Sequence, residues 1–156
     1  GTGHHATTYM MMEWMEEMDF KEKTIADFGT GTGVLAILAE KLGAASVLAI
    51  DNDDRSILNT EENISENNCS RIQVIKGESI NVEDAFDIIL ANINRNILTS
   101  RAQNLSDKIA SGGYLLISGF LPEDVPFLEE QFEVEGFIKV GIKNRKNWVS
   151  MKLKKQ

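Results

Sequence analysis

The sequence predicts an α/β fold, a seven-stranded doubly wound sheet with an antiparallel C-terminal hairpin. Short β-rich runs alternate with helical patterns over residues 24–120, which is typical of parallel strands joined by crossover helices. A glycine-rich turn, residues 29–33, directly follows the first of these strands. The last two predicted strands are separated by only four residues, a length that allows a hairpin but no parallel crossover.

Each element follows from local pattern. The strands are expected at residues 24–28, 46–51, 72–76, 86–92, 114–120, 137–143 and 148–152. The helices are expected at about residues 8–18, 34–42, 53–67, 98–109 and 122–132. The run 86–92 is almost wholly apolar, as in a strand covered on both faces. In the first helix an apolar stripe, at helical spacing, is expected in the core: Met11, Trp14, Met15 and Met18.

Composition excludes several classes of protein. The 156 residues contain one cysteine, Cys69, so no internal disulfide can form, and a reducing cytoplasm is expected. No apolar run is long enough to span a membrane, and no secretory signal pattern opens the chain. The adjacent His4 and His5 do not converge on one ion, so no metal site is expected. A G-x-S-x-G elbow is absent, which argues against a serine hydrolase.

Charge is unevenly spread along the chain. The net charge is −8, yet residues 137–156 hold seven Lys or Arg and no acid. One interpretation is a face that meets a polyanion. The other, which we favour, is a solvated hairpin whose lysines protect an edge strand.

The turn of residues 27–33, Asp-Phe-Gly-Thr-Gly-Thr-Gly, is the first candidate site. Its G-x-G-x-G spacing differs from the dinucleotide pattern G-x-G-x-x-G. Glycines such as Gly29 and Gly31 allow a tight turn and the close approach of a ligand. Asp27, just before them, can face the ammonium of an amino-acid ligand. A tight turn without a ligand is the alternative.

Two further carboxylates end predicted strands. Asp51 ends the second strand, where a carboxylate accepts both ribose hydroxyls of an adenosine. Its alternative role is to cap a helix, for which Asp53 is better placed. Glu78, within Gly77-Glu78-Ser79 at the end of the third strand, could contact the adenine, and a plain loop is the alternative.

Asn92 ends the fourth predicted strand, where doubly wound folds place the substrate. It can offer a carbonyl acceptor, from its side chain or backbone, to a reacting amine. The alternative is an Asn-rich strand end that satisfies its own turn. An amino-acid tail, an adenosine and a reacting amine together indicate S-adenosylmethionine as cofactor and methyl transfer as the reaction.

These motifs occur in the same order in the PrmA family of bacterial methyltransferases, which the chain resembles over nearly its whole length. The shared residues are Gly1-Thr2-Gly3-His4-His5-Ala6-Thr7-Thr8, the 27–33 turn, Ala49-Ile50-Asp51, Ala91-Asn92-Ile93, Gly112-Gly113, Ser118-Gly119 and Trp148. The resemblance implies a class I, Rossmann-like methyltransferase with cofactor contacts at Thr8, Gly29, Asp51 and Asn92. It also implies methylation of lysine and N-terminal amines of the eleventh protein of the large ribosomal subunit.

The chain departs from that family in two ways. Ala6 stands where many members have proline. Members also carry an N-terminal domain that docks the ribosomal protein, so we expect residues 1–156 to be the catalytic domain without that docking domain.

Two other functions stay open. A methyltransferase acting on nucleic-acid amines usually has an Asn- or Asp-Pro-Pro-aromatic motif at this strand end, where a flipped base is held. Here Asn92 is followed by Ile93-Asn94-Arg95, and the acidic body disfavours a polyanion, so no direct nucleic-acid substrate and no membrane partner are expected. The second alternative is a module that binds the cofactor without turnover.

Overall fold

The computed structural model describes residues 3–156, which form seven strands and six α-helices. The strands are β1 (Thr24–Phe28), β2 (Ser46–Asp51), β3 (Ile72–Lys76), β4 (Phe86–Asn92), β5 (Ile109–Phe120), β6 (Phe137–Arg145) and β7 (Trp148–Lys155). The helices are α1 (Gly3–Glu16), α2 (Val34–Lys41), α3 (Asp54–Glu66), α4 (Arg95–Ser100), α5 (Ala102–Asp107) and α6 (Val125–Val134), the last preceded by a short 3₁₀ turn, Pro122–Asp124.

The strands form one sheet in the order β3-β2-β1-β4-β5-β7-β6. The first five pair in parallel, and β7 lies antiparallel to both β5 and β6. This confirms the predicted doubly wound sheet with a C-terminal hairpin. The strand order reverses between β1 and β4, so their carboxyl ends flank the crevice in which such folds bind ligands.

The sheet is covered on both faces, and alternate residues of β4 show it. Ile88 and Leu90 pack with α1 and α2, whereas Ile89 and Ala91 pack with α4, α5 and α6. Burial on both sides explains why this strand is apolar throughout.

The apolar stripe of α1 belongs to the core, as predicted. Met11 and Met15 are fully buried, Trp14 is nearly so, and Met18 packs against the same cluster. The indole Nε1 of Trp14 donates a hydrogen bond of 3.0 Å to Ser150 Oγ on β7.

The predicted start of the first helix, at residue 8, was wrong. α1 already includes residues 3–7, where a turn was expected, and it ends at Glu16. Burial explains the earlier start, because Ala6 and Met10 are four residues apart on the face that packs on the sheet. Gly1 and Thr2 of the predicted motif lie outside the described residues.

The predicted helix at 98–109 was also wrong, because α4 and α5 meet at Arg101. Arg101 has φ −110° and ψ 7°, outside the helical region. A distant contact fixes α5: Asn104 Oδ1 accepts from the Ile80 N–H at 2.9 Å, and its Nδ2 donates to the Ile80 carbonyl at 3.0 Å. No local periodicity contains that information.

The hairpin is tighter than the expected connection of four residues. β6 and β7 are joined by Lys146 and Asn147 alone, whose φ values of 51° and 66° fit a type I′ turn. β5 is longer than expected, because it begins at Ile109, which pairs with Phe86.

The basic residues of the hairpin have neighbours within the fold. Lys143 Nζ lies 2.8 Å from a Glu17 carboxylate oxygen, and Lys139 Nζ lies 3.2 Å from one of Glu129. The guanidinium of Arg145 stacks over the Tyr9 ring at 3.7 Å from its centroid. Three basic residues of the edge strand β6 thus have partners within the fold, and the protection of this edge by lysines stays a prediction.

None of the helices within residues 3–156 has both the length and the hydropathy that crossing a bilayer requires.

Candidate functional site

A cavity of about 290 Å³ opens at the carboxyl ends of β1, β2 and β3. Gly29, Asp51 and Glu78 line it together, so three of the predicted site residues share one cavity. Its opposite wall comes from the segment after β4 and from α4, and includes Ile93 and Arg101. Larger depressions of about 370 and 450 Å³ exist elsewhere, but no predicted site residue lines them.

The glycine turn has the backbone that only glycine adopts without strain. Gly29, Gly31 and Gly33 have φ values of 76°, 60° and 84°. A Cβ at Gly29 would overlap the Ile93 side chain, and one at Gly33 would lie 2.7 Å from Thr60 Cγ2. A Cβ at Gly31 would meet no atom of residues 3–156 within 4 Å, so the turn presents open space at its centre.

Helix α3 holds this turn from outside. Thr60 is fully buried and donates from Oγ1 to the Gly31 carbonyl at 2.8 Å. Asn63 donates from Nδ2 to the Thr32 carbonyl, also at 2.8 Å. Sequence reasoning missed both residues. Thr60 could have been found from the sequence, because it is a polar residue that shares the buried face of a helix with Ile57 and Ile64.

Asp27 lies beneath the turn, 2% exposed, and does not line the cavity. Its Oδ2 accepts from Thr30 Oγ1 at 2.7 Å, and its carboxylate accepts from the backbone N–H of Ala36. Burial raises the pKa of this carboxyl from 3.8 to about 6; the charge of Asp51 also raises it, while the two hydrogen bonds lower it. Because the N-cap residue Gly33 has no side chain, Asp27 acts as the cap of α2.

Asp51 connects the turn to the cavity. Its Oδ2 accepts from the Gly31 N–H at 2.9 Å, and its Oδ1 accepts from the Asp53 N–H at 3.1 Å. Asp53, as predicted, caps α3 by accepting from the Ser56 N–H. Asp51 therefore positions the backbone of the turn while lining the cavity beside it.

Glu78 and Arg101 form a loose pair at the cavity. The Glu78 side chain is 75% exposed, and its Oε2 lies 4.0 Å from a terminal nitrogen of Arg101. The Nε of Arg101 is buried and has no hydrogen-bond partner within the described part of the chain. Sequence reasoning did not single out Arg101.

Asn92 ends β4 as predicted, half-buried and in register with Ser118. It does not line the cavity, although the next residue, Ile93, does. Asn94, and not Asn92, makes the hydrogen bond that closes the turn after β4, because its Oδ1 accepts from the Ile97 N–H at 3.0 Å. The Asn92 side chain is thus not used to cap α4.

Thr8 lies apart from the other predicted contacts, in a depression of about 310 Å³ with His4, Tyr9 and Arg145. Its Oγ1 is buried without a hydrogen-bond partner among residues 3–156. Because Arg145 pairs with Trp148, and Val149 with Phe120 at the end of β5, this depression lies at the same sheet edge as the cavity.

The described residues contain no cluster of three or more His, Cys, Asp or Glu side chains that could hold a metal ion.

The sequence matches the family described as "Ribosomal protein L11 methyltransferase (PrmA)" over residues 1–156. The chain belongs to this family. It is 46% identical over 154 residues to the ribosomal protein L11 methyltransferase of Porphyromonas gingivalis, covering 97% of this chain and 53% of that protein. It is 40% identical to the relative in Chlorobaculum parvum, covering 96% of this chain and 54% of that protein. The chain therefore spans about half the length of the curated relatives it matches.

Solved structures agree on the fold. The ribosomal protein L11 methylase of Lactobacillus delbrueckii subsp. bulgaricus superposes with a TM-score of 0.93 and 34% identity, covering 97% of this chain and 80% of that one. A putative RNA methyltransferase of Pyrococcus horikoshii superposes with a TM-score of 0.80 at 21% identity, covering 96% and 83%. At that identity the likeness shows the fold alone. The predicted class I, Rossmann-like methyltransferase fold is confirmed.

Proposed function

We propose that residues 1–156 are the catalytic domain of an S-adenosylmethionine-dependent protein methyltransferase. Its substrates are lysine and N-terminal amines of a large-subunit ribosomal protein. The observation that carries the proposal is the position of Asp51, whose carboxylate holds the Gly31 N–H and lines the cavity at the carboxyl end of β2. The names of the relatives and of the Lactobacillus structure support the same reaction.

The residues present fit S-adenosylmethionine. Asp51 would accept hydrogen bonds from the ribose hydroxyls, and Glu78 would lie near the adenine. The turn at Gly29 and Gly31 leaves room for the ligand and would meet it with backbone. Two buried polar atoms, Thr8 Oγ1 and Arg101 Nε, have no partner in residues 3–156, as expected of groups that bind a ligand.

Asp27 would act at the amino-acid end of the cofactor, through the glycine turn beneath which it lies. Its carboxylate already accepts from Thr30 and Ala36, so an ammonium in direct contact would have to share this acceptor with those two donors. We propose that Asp27 chiefly positions Gly29 and Gly31, and adds negative charge beneath the ammonium.

When bound, S-adenosylmethionine supplies an electrophilic methyl group on a sulfonium. The chain's own residues bind the cofactor, orient the substrate amine toward the methyl group and exclude water from the site. A lysine amine, whose ordinary pKa is about 10.4, must reach the methyl group in its neutral form. We propose that Asn92, by its side chain or its backbone carbonyl, accepts from this amine and orients its lone pair, and that the proton leaves to water.

A protein substrate is favoured over a nucleic acid by charge. The chain holds 24 acids against 16 basic residues, and the basic residues of β6 contact acids and rings within the fold. A polyanion would meet a repulsive field over most of the surface. We also propose that the protein acts in the cytoplasm, where ribosomal proteins are made.

A methyl-transfer assay tests the proposal. S-adenosylmethionine with a radiolabelled methyl group is incubated with the chain and ribosomal protein L11, with the full-length Porphyromonas gingivalis relative as the assay control. A second arm of the assay uses a fusion protein, in which this chain is joined to the part of the Porphyromonas gingivalis relative that it does not cover. Label on lysine or N-terminal amines is the expected result.

Two other outcomes would contradict the proposed function, and a third would contradict the role of Asn92 alone. Cofactor binding without transfer in either arm would indicate a binding module. Transfer to ribosomal RNA amines instead of the protein would favour the nucleic-acid alternative. Full turnover by an Asn92→Ala variant, with unchanged cofactor affinity, would remove the role proposed for Asn92.

A further inference from the structure

Arg101 occupies the wall of the cavity that faces Asp51 and Gly29, at the break between α4 and α5. Its side chain is 34% exposed, and its Nε is buried. A guanidinium N–H that leaves water without finding an acceptor is costly, so native proteins seldom keep one unpaired.

The neighbouring carboxylate does not account for this placement. Glu78 approaches a terminal nitrogen of Arg101 only to 4.0 Å, beyond hydrogen-bond distance, and is itself 75% exposed. Such a pair is screened by water and contributes little. Nε makes no bond to any other described residue.

The two carboxylates of the cavity cannot bind every polar atom of an adenosine. Asp51 and Glu78 supply acceptors, which suit ribose hydroxyls and the amino group of adenine. The ring nitrogens of adenine are acceptors and require donors. Among the cavity's side chains Arg101 is the cationic donor, beside the neutral Asn52 and Ser100.

We propose that Arg101 is an adenine-binding residue whose guanidinium donates a hydrogen bond to a ring nitrogen of the cofactor. The inference rests on the proposed function, because it requires the adenosine to occupy this cavity. It assigns Arg101 a role in selecting a purine with an acceptor in the ring, which neither Asp51 nor Glu78 can provide.

Calorimetric titration with S-adenosylhomocysteine, the reaction's product, tests the residue. Arg101→Met is expected to weaken binding by about 10- to 100-fold, the range for a lost hydrogen bond to a charged group. Arg101→Lys keeps the positive charge but loses the planar set of guanidinium N–H donors, so it should weaken binding less than Arg101→Met does. Arg95→Met is the matched control: it removes the same charge from α4, where Arg95 contacts Asp124 and Phe127 outside the cavity.

Ring-modified ligands test the contact without relying on a variant. The 1-deaza, 3-deaza and 7-deaza analogues of S-adenosylhomocysteine each replace one ring nitrogen by C–H. At least one should bind the unmodified chain more weakly than the parent ligand, and Arg101→Met should abolish that difference. Thermal unfolding without ligand confirms that each variant is folded.

The outcomes separate this inference from the proposed function. If the parent ligand binds but all three analogues bind equally well, Arg101 makes no such contact and only the inference is overturned. Equal losses for Arg101→Met and Arg95→Met would overturn it too. If the parent ligand does not bind, the proposed function fails, and the inference fails with it.

Discussion

The hydroxyl of Thr30 donates to the carboxylate of Asp27 beneath the glycine turn, with 2.7 Å between Oγ1 and Oδ2. Both residues are more than nine-tenths buried, and the same carboxylate accepts from the N–H of Ala36 in the first turn of α2. One buried carboxylate thus connects the end of β1, the turn and the start of α2.

Thr30→Val removes the buried donor and keeps the shape of the side chain. We expect a loss of about 1–3 kcal/mol in the free energy of unfolding, because the carboxylate of Asp27 keeps fewer partners while still buried. Urea titration measures it. Thr99→Val is the control, since its hydroxyl donates to the Arg95 carbonyl of its own helix. Equal effects of the two variants would show that the buried bond is unimportant.

Stability should fall as pH rises through the titration of Asp27. Because burial raises the pKa of this carboxyl to about 6 from 3.8, the folded state binds more protons than the unfolded state between these values. The contribution is complete below about pH 3.8 and is lost as pH approaches and passes about 6. The expected loss is about 3 kcal/mol.

Comparison with Asp27→Asn isolates this residue from other titrating groups. The difference in unfolding free energy between the variant and the parent chain should shift in favour of the variant between about pH 4 and pH 7. A constant difference, or a shift in the opposite direction, would contradict the assignment.

Thr60→Val should weaken cofactor binding although Thr60 does not line the cavity. The valine fills the same volume but cannot donate to the Gly31 carbonyl, so the turn is held less firmly. We expect the dissociation constant for S-adenosylmethionine to rise about tenfold, which corresponds to about 1.4 kcal/mol. Asn67→Ala is the control, because the side chain of Asn67 donates to the Asn63 carbonyl at the end of the same helix, away from the turn. Unchanged affinity in Thr60→Val would exclude a positioning role.

Alanine substitutions at Gly31 and Gly33 should lower the stability of the protein to different extents. At Gly31 a Cβ meets no atom of the described residues within 4 Å, so the cost is backbone strain of about 1–2 kcal/mol. At Gly33 the Cβ would also lie 2.7 Å from Thr60 Cγ2. Gly33→Ala should therefore destabilise more than Gly31→Ala.

A second substitution separates the overlap from the strain. Thr60→Ser removes Cγ2 and keeps the hydroxyl, so it should partly rescue Gly33→Ala and leave Gly31→Ala unrescued. A double-mutant cycle on unfolding free energies measures the coupling. Additive effects at Gly33 and Thr60 would contradict the packing described.

The parts of the fold that could be predicted from sequence are those with a local cause. The bounds of β1–β4 follow from apolar runs closed by turn residues, and the glycine turn from its spacing. The break at Arg101 could not be predicted, because Asn104 fixes α5 through Ile80, far along the chain. The early start of α1 was obscured by glycine and histidines that resemble a turn, while its helical face is set by burial.

The candidate site was predictable to the same extent. Strand ends located Gly29, Asp51 and Glu78 in one cavity, since parallel strands share their carboxyl edge. The contributions of Thr60 and Arg101 depend on how helices pack against the turn and the cavity. Contact with the cofactor stays a prediction for the three residues at the strand ends, as it does for Thr8, Asp27, Gly31 and Asn92.

Calorimetric titration of S-adenosylmethionine against the unmodified chain and Asp51→Ala tests whether the cofactor binds at the cavity beside the glycine turn. Asp54→Ala is the matched control, because Asp54 is an exposed acid nearby whose carboxylate pairs with Lys76. We expect binding at one site, an affinity loss of about 10- to 100-fold in Asp51→Ala, and none in Asp54→Ala. Equal affinity in all three proteins, or no binding to the unmodified chain, would contradict this expectation.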